Sequence, residues 1–213
     1  MGFDVSSLRA GPGFVAIPEL VRAGELSGIA DAYDSITAAG AATVCPALHW
    51  MRPGQHAIDA LLPDSLQSRV RDHVEAVTGT AANKVSLSCR VFLKPAGAAM
   101  TQPHQDHAYH RSPADRVTVW IALDDSHLRN GALFYHPDTH RDGLLAHRIA
   151  DTDLTGNTLT VATPARTPRV AVPLAAGGAV LHHRDVVHGA YPNTTAVPRR
   201  GLVVVCDLPP DPM

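Results

Sequence analysis

With 213 residues, 45% hydrophobic and 18% charged, the chain has the make-up of a globular protein that can bury one sizeable core. Its net charge of −2 gives no electrostatic footing for nucleic acid or an anionic membrane surface. The opening MGFDVSSLRAGPGFVAIPEL lacks a basic segment followed by an apolar run, no apolar stretch nears the ~20 residues of a membrane span, and three scattered cysteines (Cys45, Cys89, Cys206) predict reduced thiols, so the expectation is a cytoplasmic protein.

The first 80 residues or so read as helical. Pro18 opens a segment in which Leu20, Val21, Leu26, Ile29, Ala30 and Tyr33 recur at helical spacing before Gly40 stops the pattern. A second helix is predicted through PDSLQSRVRDHVEAVTG, capped by Asp64 or Ser65, striped by Leu66, Val70, Val74 and Val77, and ended by Gly79. From about residue 84 to 208 the period changes to two. Val85, Leu87, Cys89, Val91 and Leu93 alternate with Ser86, Ser88, Arg90, Phe92 and Lys94. Further short strand-like runs follow at 117–123, 131–136, 157–163, 169–174, 179–183 and 201–208, broken by Gly, Pro, Asn and Asp. No convincing helix falls between them, which argues against a parallel βαβ sheet. The predicted fold is a mostly-β, double-stranded β-helix (jelly-roll) core with helices packed outside one sheet, as a single domain over 1–213.

Thirteen histidines is a high count, and they cluster at 104–110, 136–147 and 182–188. Two imidazoles and a carboxylate on one face of an iron ion leave three positions open for co-substrate and oxygen. In sequence that set reads as His-x-Asp plus a distant histidine, because a two-residue step keeps both side chains on one side of an extended backbone. Four His-x-Asp pairs occur, and their surroundings decide between them. His183–Asp185 lies too close to His188 for that histidine to come from a separate strand. His136–Asp138 and His140–Asp142 sit in HPDTHRDG, whose Pro137 and Gly143 suit a loop. His104–Asp106 follows one strand and precedes another, and His188 is far enough downstream to return to it. The predicted metal ligands are therefore His104, Asp106 and His188.

Arg199 stands at the start of the last strand. A dicarboxylate that chelates iron through one end needs a cation for its far carboxylate, and the guanidinium fork supplies two parallel charge-assisted hydrogen bonds. The competing reading of Arg199–Arg200 is a solvated basic pair at a turn.

The stretch His104-Gln-Asp-His-Ala-Tyr109 with Pro113, Asp115 and Trp120-Ile-Ala-Leu resembles the phytanoyl-CoA dioxygenase family. So do Asn130-Gly-Ala-Leu with Pro137-Asp-Thr-His140, and Gly177-Gly-Ala-Val-Leu through His188-Gly, Pro192-Asn193 and Arg199. The resemblance covers roughly 85–208, with the motifs in the family's order. It implies an Fe(II)- and 2-oxoglutarate-dependent dioxygenase that uses O2, with His104, Asp106 and His188 on iron and Arg199 on the keto acid. It also implies that Trp120 lines the co-substrate pocket. Thr118 shares its strand face and offers a hydroxyl, and Ser86, Ser88 and Arg90 occupy a face that contacts co-substrate in the family or else faces solvent. Ala190 stands where many members carry serine, removing one co-substrate hydrogen bond, and Asp138 replaces a glycine at a turn. Related halogenases carry a small residue in place of Asp106, so halogenation is not expected.

The expected reaction is hydroxylation of an unactivated C–H bond, with succinate and carbon dioxide released. Desaturation, epoxidation and cyclisation use the same oxidant. The substrate-facing candidates are His49, Trp50, Arg52, Tyr109, His110, Arg111 and His136, on loops at the barrel mouth. Arg52 and Arg111 hint at a substrate carboxylate or phosphate. The short chain leaves few insertions for a large lid, which favours a small-molecule substrate, an amino acid or natural-product intermediate, over a protein or an acyl-CoA. Two rival readings are a non-catalytic jelly-roll binding module with structural histidines and a metal-dependent oxygenase that needs no keto acid.

Overall fold

Two antiparallel sheets face each other across an apolar interior, and two helices cover the outside of the larger one. The computed structural model describes residues 8–38, 43–45, 48–51, 59–109, 115–150 and 158–209, with backbone alone at 43–45 and 48–51. The first half carries β1 (Phe14–Ile17), α1 (Ala23–Ala38), β2 (Thr43–Cys45), β3 (Leu48–Met51), α2 (Asp64–Thr78), β4 (Ser86–Lys94) and β5 (Thr101–His104). Then come β6 (Arg116–Ala122), β7 (Leu133–Tyr135), β8 (His147–Ile149), β9 (Leu159–Val161), β10 (Val170–Val172), β11 (Ala179–His183), β12 (His188–Ala190) and β13 (Arg199–Asp207). The large sheet has the order β1-β11-β6-β13-β4-β3-β2, the small one β10-β7-β12-β5, and β8 pairs with β9 alone. This is the jelly roll that the period-two runs predict.

Alternation sorts the side chains into two cores. Val117, Val119, Ile121, Leu202, Val204, Cys206, Cys89 and Val91 point outward from the large sheet and pack under Ile29 and Tyr33 of α1 and Leu66, Val70, Val74 and Val77 of α2. Trp120, Ala122, Val180, Val203 and Val205 point inward and meet Leu133, Tyr135, Val172 and Ala190 from the small sheet. Each fully buried side chain of this size is worth about 1.5–3 kcal/mol of transfer free energy, so the strand parity is strongly held. Consequently the face of β4 that carries Ser88, Arg90, Phe92 and Lys94 is the barrel interior and not an outer surface. Lys94 is fully buried there, its Nζ donating to the Ala99 carbonyl at 2.8 Å and the Thr101 hydroxyl at 3.2 Å.

The N-terminal third corrects the helical expectation. Among the described residues it contributes three strands as well as the two helices, and β1 extends the large sheet by pairing with β11. The Pro18 segment is not helical until Ala23, because the amides of Leu20 and Val21 both donate to the Gly177 carbonyl at 2.9 Å. Helix α2 matches its predicted stripe, and Gly79 ends it by returning its amide to the Glu75 carbonyl. Neither predicted cap is used. Pro63 occupies the cap position, and the Ser65 hydroxyl donates instead to Glu25 of α1 at 2.7 Å.

Candidate metal centre

The small sheet delivers two histidines to one place. His104 ends β5, His188 begins β12, and the register pairs them directly. Their rings lie 4.5 Å apart. Gly189 allows this approach, since a Cβ there would sit 2.5 Å from the Thr101 carbonyl oxygen and 2.6 Å from the Phe134 ring. After His104 the chain leaves the sheet and enters a 3-10 turn, Asp106–Ala108, which swings Asp106 beneath both rings. One ligand atom from each of His104, Asp106 and His188 lies within 4.8 Å of the others, the only such cluster among the described residues.

The backbone fixes how these groups present themselves. His104 Nδ1 is 2.8 Å from the Gln102 carbonyl and His188 Nδ1 is 3.1 Å from the Val186 carbonyl. A carbonyl only accepts, so each Nδ1 carries the hydrogen and each Nε2 lone pair is free for an ion. Burial lowers the pKa of His104 and pushes that of His188 down to about 3, which keeps both rings neutral at physiological pH. Burial alone would raise the Asp106 carboxyl, but the neighbouring His188, the His182 hydrogen bond and His104 together hold it well below the usual range. Its Oδ1 faces His188 Nε2 at 3.6 Å and His104 Nε2 at 3.8 Å. Two neutral imidazoles and one anionic oxygen converging from one side fit a divalent iron with open positions opposite.

Gln105, fully buried between the two ligands, anchors this turn. Its amide nitrogen donates to the carbonyls of Gly143 and Asp185 at 2.8 and 2.6 Å, and its oxygen accepts from the Leu145 amide at 2.8 Å. The other His-x-Asp pairs lie elsewhere. His183 and Asp185 form the turn between β11 and β12, where Asp185 pairs with His107 at 2.7 Å. Residues 139–142 form a second 3-10 turn, in which His140 Nε2 lies 3.0 Å from the Arg9 carbonyl.

Arg199 lies inside the barrel, 2% exposed, and not at a solvated turn. Its guanidinium carbon stands 4.6 Å from the centre of the Trp120 ring. Gly201 makes room for that indole, because a Cβ there would come within 2.7 Å of it. Burial brings the Arg199 pKa down to about 10, so the group remains a cation at neutral pH. Its Nε and Nη1 are buried without a hydrogen-bond partner among the described residues. Arg200, by contrast, points outward and pairs with Asp124 and Asp34. A buried cation whose donors converge on nothing is costly, and a carboxylate of a bound molecule would satisfy it.

The remaining predicted residues divide. Thr118 lies on the same inward face as Trp120, and its hydroxyl donates to Asp106 Oδ2 at 2.7 Å. Ser88 is half-buried on the interior face, in the same cross-strand row as Val205 and Thr118. Tyr109 stands edge-on to His104 at 5.6 Å and is 39% exposed, its hydroxyl accepting from the Leu159 amide at 2.7 Å. His136 follows β7, and its Nδ1 lies 2.6 Å from the Thr167 carbonyl. Trp50 is in register with Phe92, although its side chain, like those of His49, Arg52, His110 and Arg111, lies outside the described residues. Ala190 is buried in the interior apolar cluster. Asp138 adopts φ 66°, the left-handed conformation natural to the glycine it replaces, so the turn is kept. Asn130 and Asn193 brace loops: Asn130 holds the His127 amide and the Asp125 carbonyl, and Asn193 the carbonyls of Lys94 and Val197.

Sequence reasoning missed His182 and Tyr135. His182 Nε2 approaches Asp106 Oδ2 at 3.2 Å, and the Tyr135 hydroxyl meets His182 Nδ1 at 3.0 Å. Strand parity could have found His182, since Val180 and His182 share the inward face of β11.

The chain is 28% identical over 147 residues to a phytanoyl-CoA dioxygenase of Arabidopsis thaliana, covering 68% of this chain and 51% of the relative. It spans about half the length of the curated relatives it matches. EvdO2 from Micromonospora carbonacea var. aurantiaca, solved in complex with 2-oxoglutarate, superposes with a TM-score of 0.83 at 28% identity, covering 99% of this chain and 91% of EvdO2. The non-heme alpha ketoglutarate dependent epimerase SnoN from nogalamycin biosynthesis shares the fold at 23% identity and a TM-score of 0.73, over 95% of this chain and 80% of SnoN. The model of the phytanoyl-CoA dioxygenase (PhyH) family matches residues 11–201, and the chain belongs to that family.

Proposed function

We propose that this protein is an Fe(II)- and 2-oxoglutarate-dependent dioxygenase that hydroxylates an unactivated C–H bond of a small metabolite. One observation carries the reading: a metal-binding face of His104, Asp106 and His188 shares a barrel interior with the buried, unpaired guanidinium of Arg199. Neither feature alone requires a keto acid; together they suit a molecule that chelates at one end and carries a carboxylate at the other.

In this reading His104 and His188 bind the ion through Nε2 and Asp106 through Oδ1, giving the site one negative charge. Arg199 receives the far carboxylate of 2-oxoglutarate through Nε and Nη1, and Trp120 stacks beneath the guanidinium so that the fork cannot swing away. Bound there, ferrous iron with 2-oxoglutarate supplies an oxidant made from O2 as the keto acid is converted to succinate and carbon dioxide. The interior walls formed by Val180, Val203, Leu133 and Ala190 exclude water from the reacting face. Tyr109, edge-on to His104 and partly exposed, is the residue this reading assigns to substrate contact.

The substrate in this reading is small, such as an amino acid or a natural-product intermediate. The test is succinate release from the full chain with Fe(II), 2-oxoglutarate and a panel of small metabolites, with each component omitted in turn. Release that requires both iron and keto acid, with a product one oxygen atom heavier, is expected. A product that has lost two hydrogens or changed only configuration would reassign the outcome to desaturation, cyclisation or epimerisation. A binding module would release no succinate, and an oxygenase independent of keto acid would turn over without it.

A further inference from the structure

The two oxygens of Asp106 live in different worlds. Oδ1 faces the ligand nitrogens of His104 and His188, whereas Oδ2 accepts from the Thr118 hydroxyl at 2.7 Å and from His182 Nε2 at 3.2 Å. His182 is 2% exposed, and its other nitrogen meets the Tyr135 hydroxyl at 3.0 Å. Tyr135 is itself tightly packed: it is fully buried and stacked on Phe14 at 4.4 Å and on the His188 ring at 5.6 Å. We propose that His182 is a positioning residue which, held by Tyr135 and aided by Thr118, restrains Asp106 to a single metal-bound oxygen and so keeps one coordination position open. This deepens the iron-site reading above and rests on it.

The hydrogen-bond polarity follows from chemistry. A carboxylate only accepts, so His182 Nε2 carries the hydrogen between them. In the neutral ring Nδ1 is then the lone-pair end, and the Tyr135 hydroxyl is the donor to it. Both donors to Oδ2 come from adjacent strands of the large sheet, β6 and β11, in which His182 and Thr118 are direct register partners. The two donors therefore form a rigid ledge behind Asp106. Without it, the carboxylate is free to rotate and offer both oxygens to a cation, which would occupy a position the co-substrate needs. Tyr135 also links two ligands, since it stacks on His188 while orienting the group that restrains Asp106.

The test uses Co(II) alone as the probe, bound to the full chain and followed by calorimetry and visible absorption. His182→Leu removes the donor; His182→Gln places an amide N–H at a similar reach; Tyr135→Phe keeps the stack and deletes the hydroxyl. The expected result is a roughly 10–100-fold loss of Co(II) affinity in His182→Leu, of the size seen when outer-shell partners are removed. Its d–d spectrum should change, reflecting the second carboxylate oxygen. His182→Gln should recover affinity to within about threefold with a wild-type spectrum, and Tyr135→Phe should fall between. Wild-type affinity and spectrum in His182→Leu would overturn the proposal, and so would a loss in His182→Gln as large as in His182→Leu, which would make His182 a ligand itself. If His182→Leu does not fold, Tyr135→Phe and His182→Gln still decide: wild-type behaviour of the first with severe loss in the second overturns it. Wild-type protein that binds Co(II) no better than His104→Ala would instead sink the underlying iron-site reading.

Discussion

His104 and His188 are cross-strand neighbours, their rings 4.5 Å apart in a directly paired register of β5 and β12. The proposed metal site is thus built on backbone hydrogen bonding, and its tightness depends on how closely those two strands approach. Gly189 controls that approach. Gly189→Ala places a methyl against the Thr101 carbonyl and the Phe134 ring, and overpacking of this kind costs about 1–3 kcal/mol. The protein should lose that much stability in urea unfolding and bind Co(II) more weakly, as the two imidazoles are forced apart. Unchanged affinity with unchanged stability would mean the strands are not held as described.

Arg199 is predicted to be a liability without its ligand. Arg199→Met removes a buried, unsatisfied cation while filling most of its volume, and such replacements are neutral or stabilising by ~1–4 kcal/mol. The melting temperature of the metal-free variant should stay level or rise. Its affinity for 2-oxoglutarate should fall by about 2–5 kcal/mol, since the far carboxylate is left unpaired. The two halves of this prediction are read by thermal denaturation and by keto-acid titration of the iron-loaded protein.

Asp138 is the single described non-glycine residue with positive φ. Asp138→Gly relieves that strain, whereas Asp138→Ala keeps it and loses the side chain's tolerance of the left-handed region. Relative to wild type, glycine should leave stability equal or slightly higher, and alanine should lower it by about 1 kcal/mol. Chemical denaturation of the two variants side by side measures the difference.

Asp115 ties the N-terminal segment to the sheet through Arg9 at 2.6 Å. Burial opposes ionisation of this carboxyl, but the Arg9 hydrogen bond, the Arg116 amide and nearby His183 hold its pKa below the ordinary 3.8. A carboxyl depressed on folding adds stability that is present above its unfolded value and lost as the pH falls through its folded value. Asp115→Asn should therefore cost about 1 kcal/mol at pH 7, with the wild-type and variant stabilities converging below pH 3.8. A gap that persists in acid would assign the effect to packing.

How much of this was legible in the sequence depends on the kind of signal each residue left. The long strands β4, β6 and β13 announce themselves because a two-residue period survives over seven or nine residues. The short strands β5 and β12, three or four residues long, hold no period to read, yet they carry His104 and His188. The candidate ligands were proposed from their chemistry and order, and the structure brings the three together. Arg199 was visible as a cation at the start of the last strand, but its burial could not be told from that of Arg200 beside it; only strand parity separates inward from outward. The Pro18 segment misled because Leu20 and Val21 are buried at helical spacing while their amides bond to Gly177. Thr118 was legible as inward-facing, but its hydrogen bond to Asp106 was not, because Asp106 reaches it through a turn that no local pattern specifies.

The most direct test is an anaerobic titration of 2-oxoglutarate into the Fe(II)-loaded protein, followed in the visible. A charge-transfer absorption is expected that saturates at one keto acid per chain, is abolished by His104→Ala and His188→Ala, and requires far more keto acid in Arg199→Met. An iron-loaded wild type that develops no such band, or one whose band forms equally well in Arg199→Met, would contradict it.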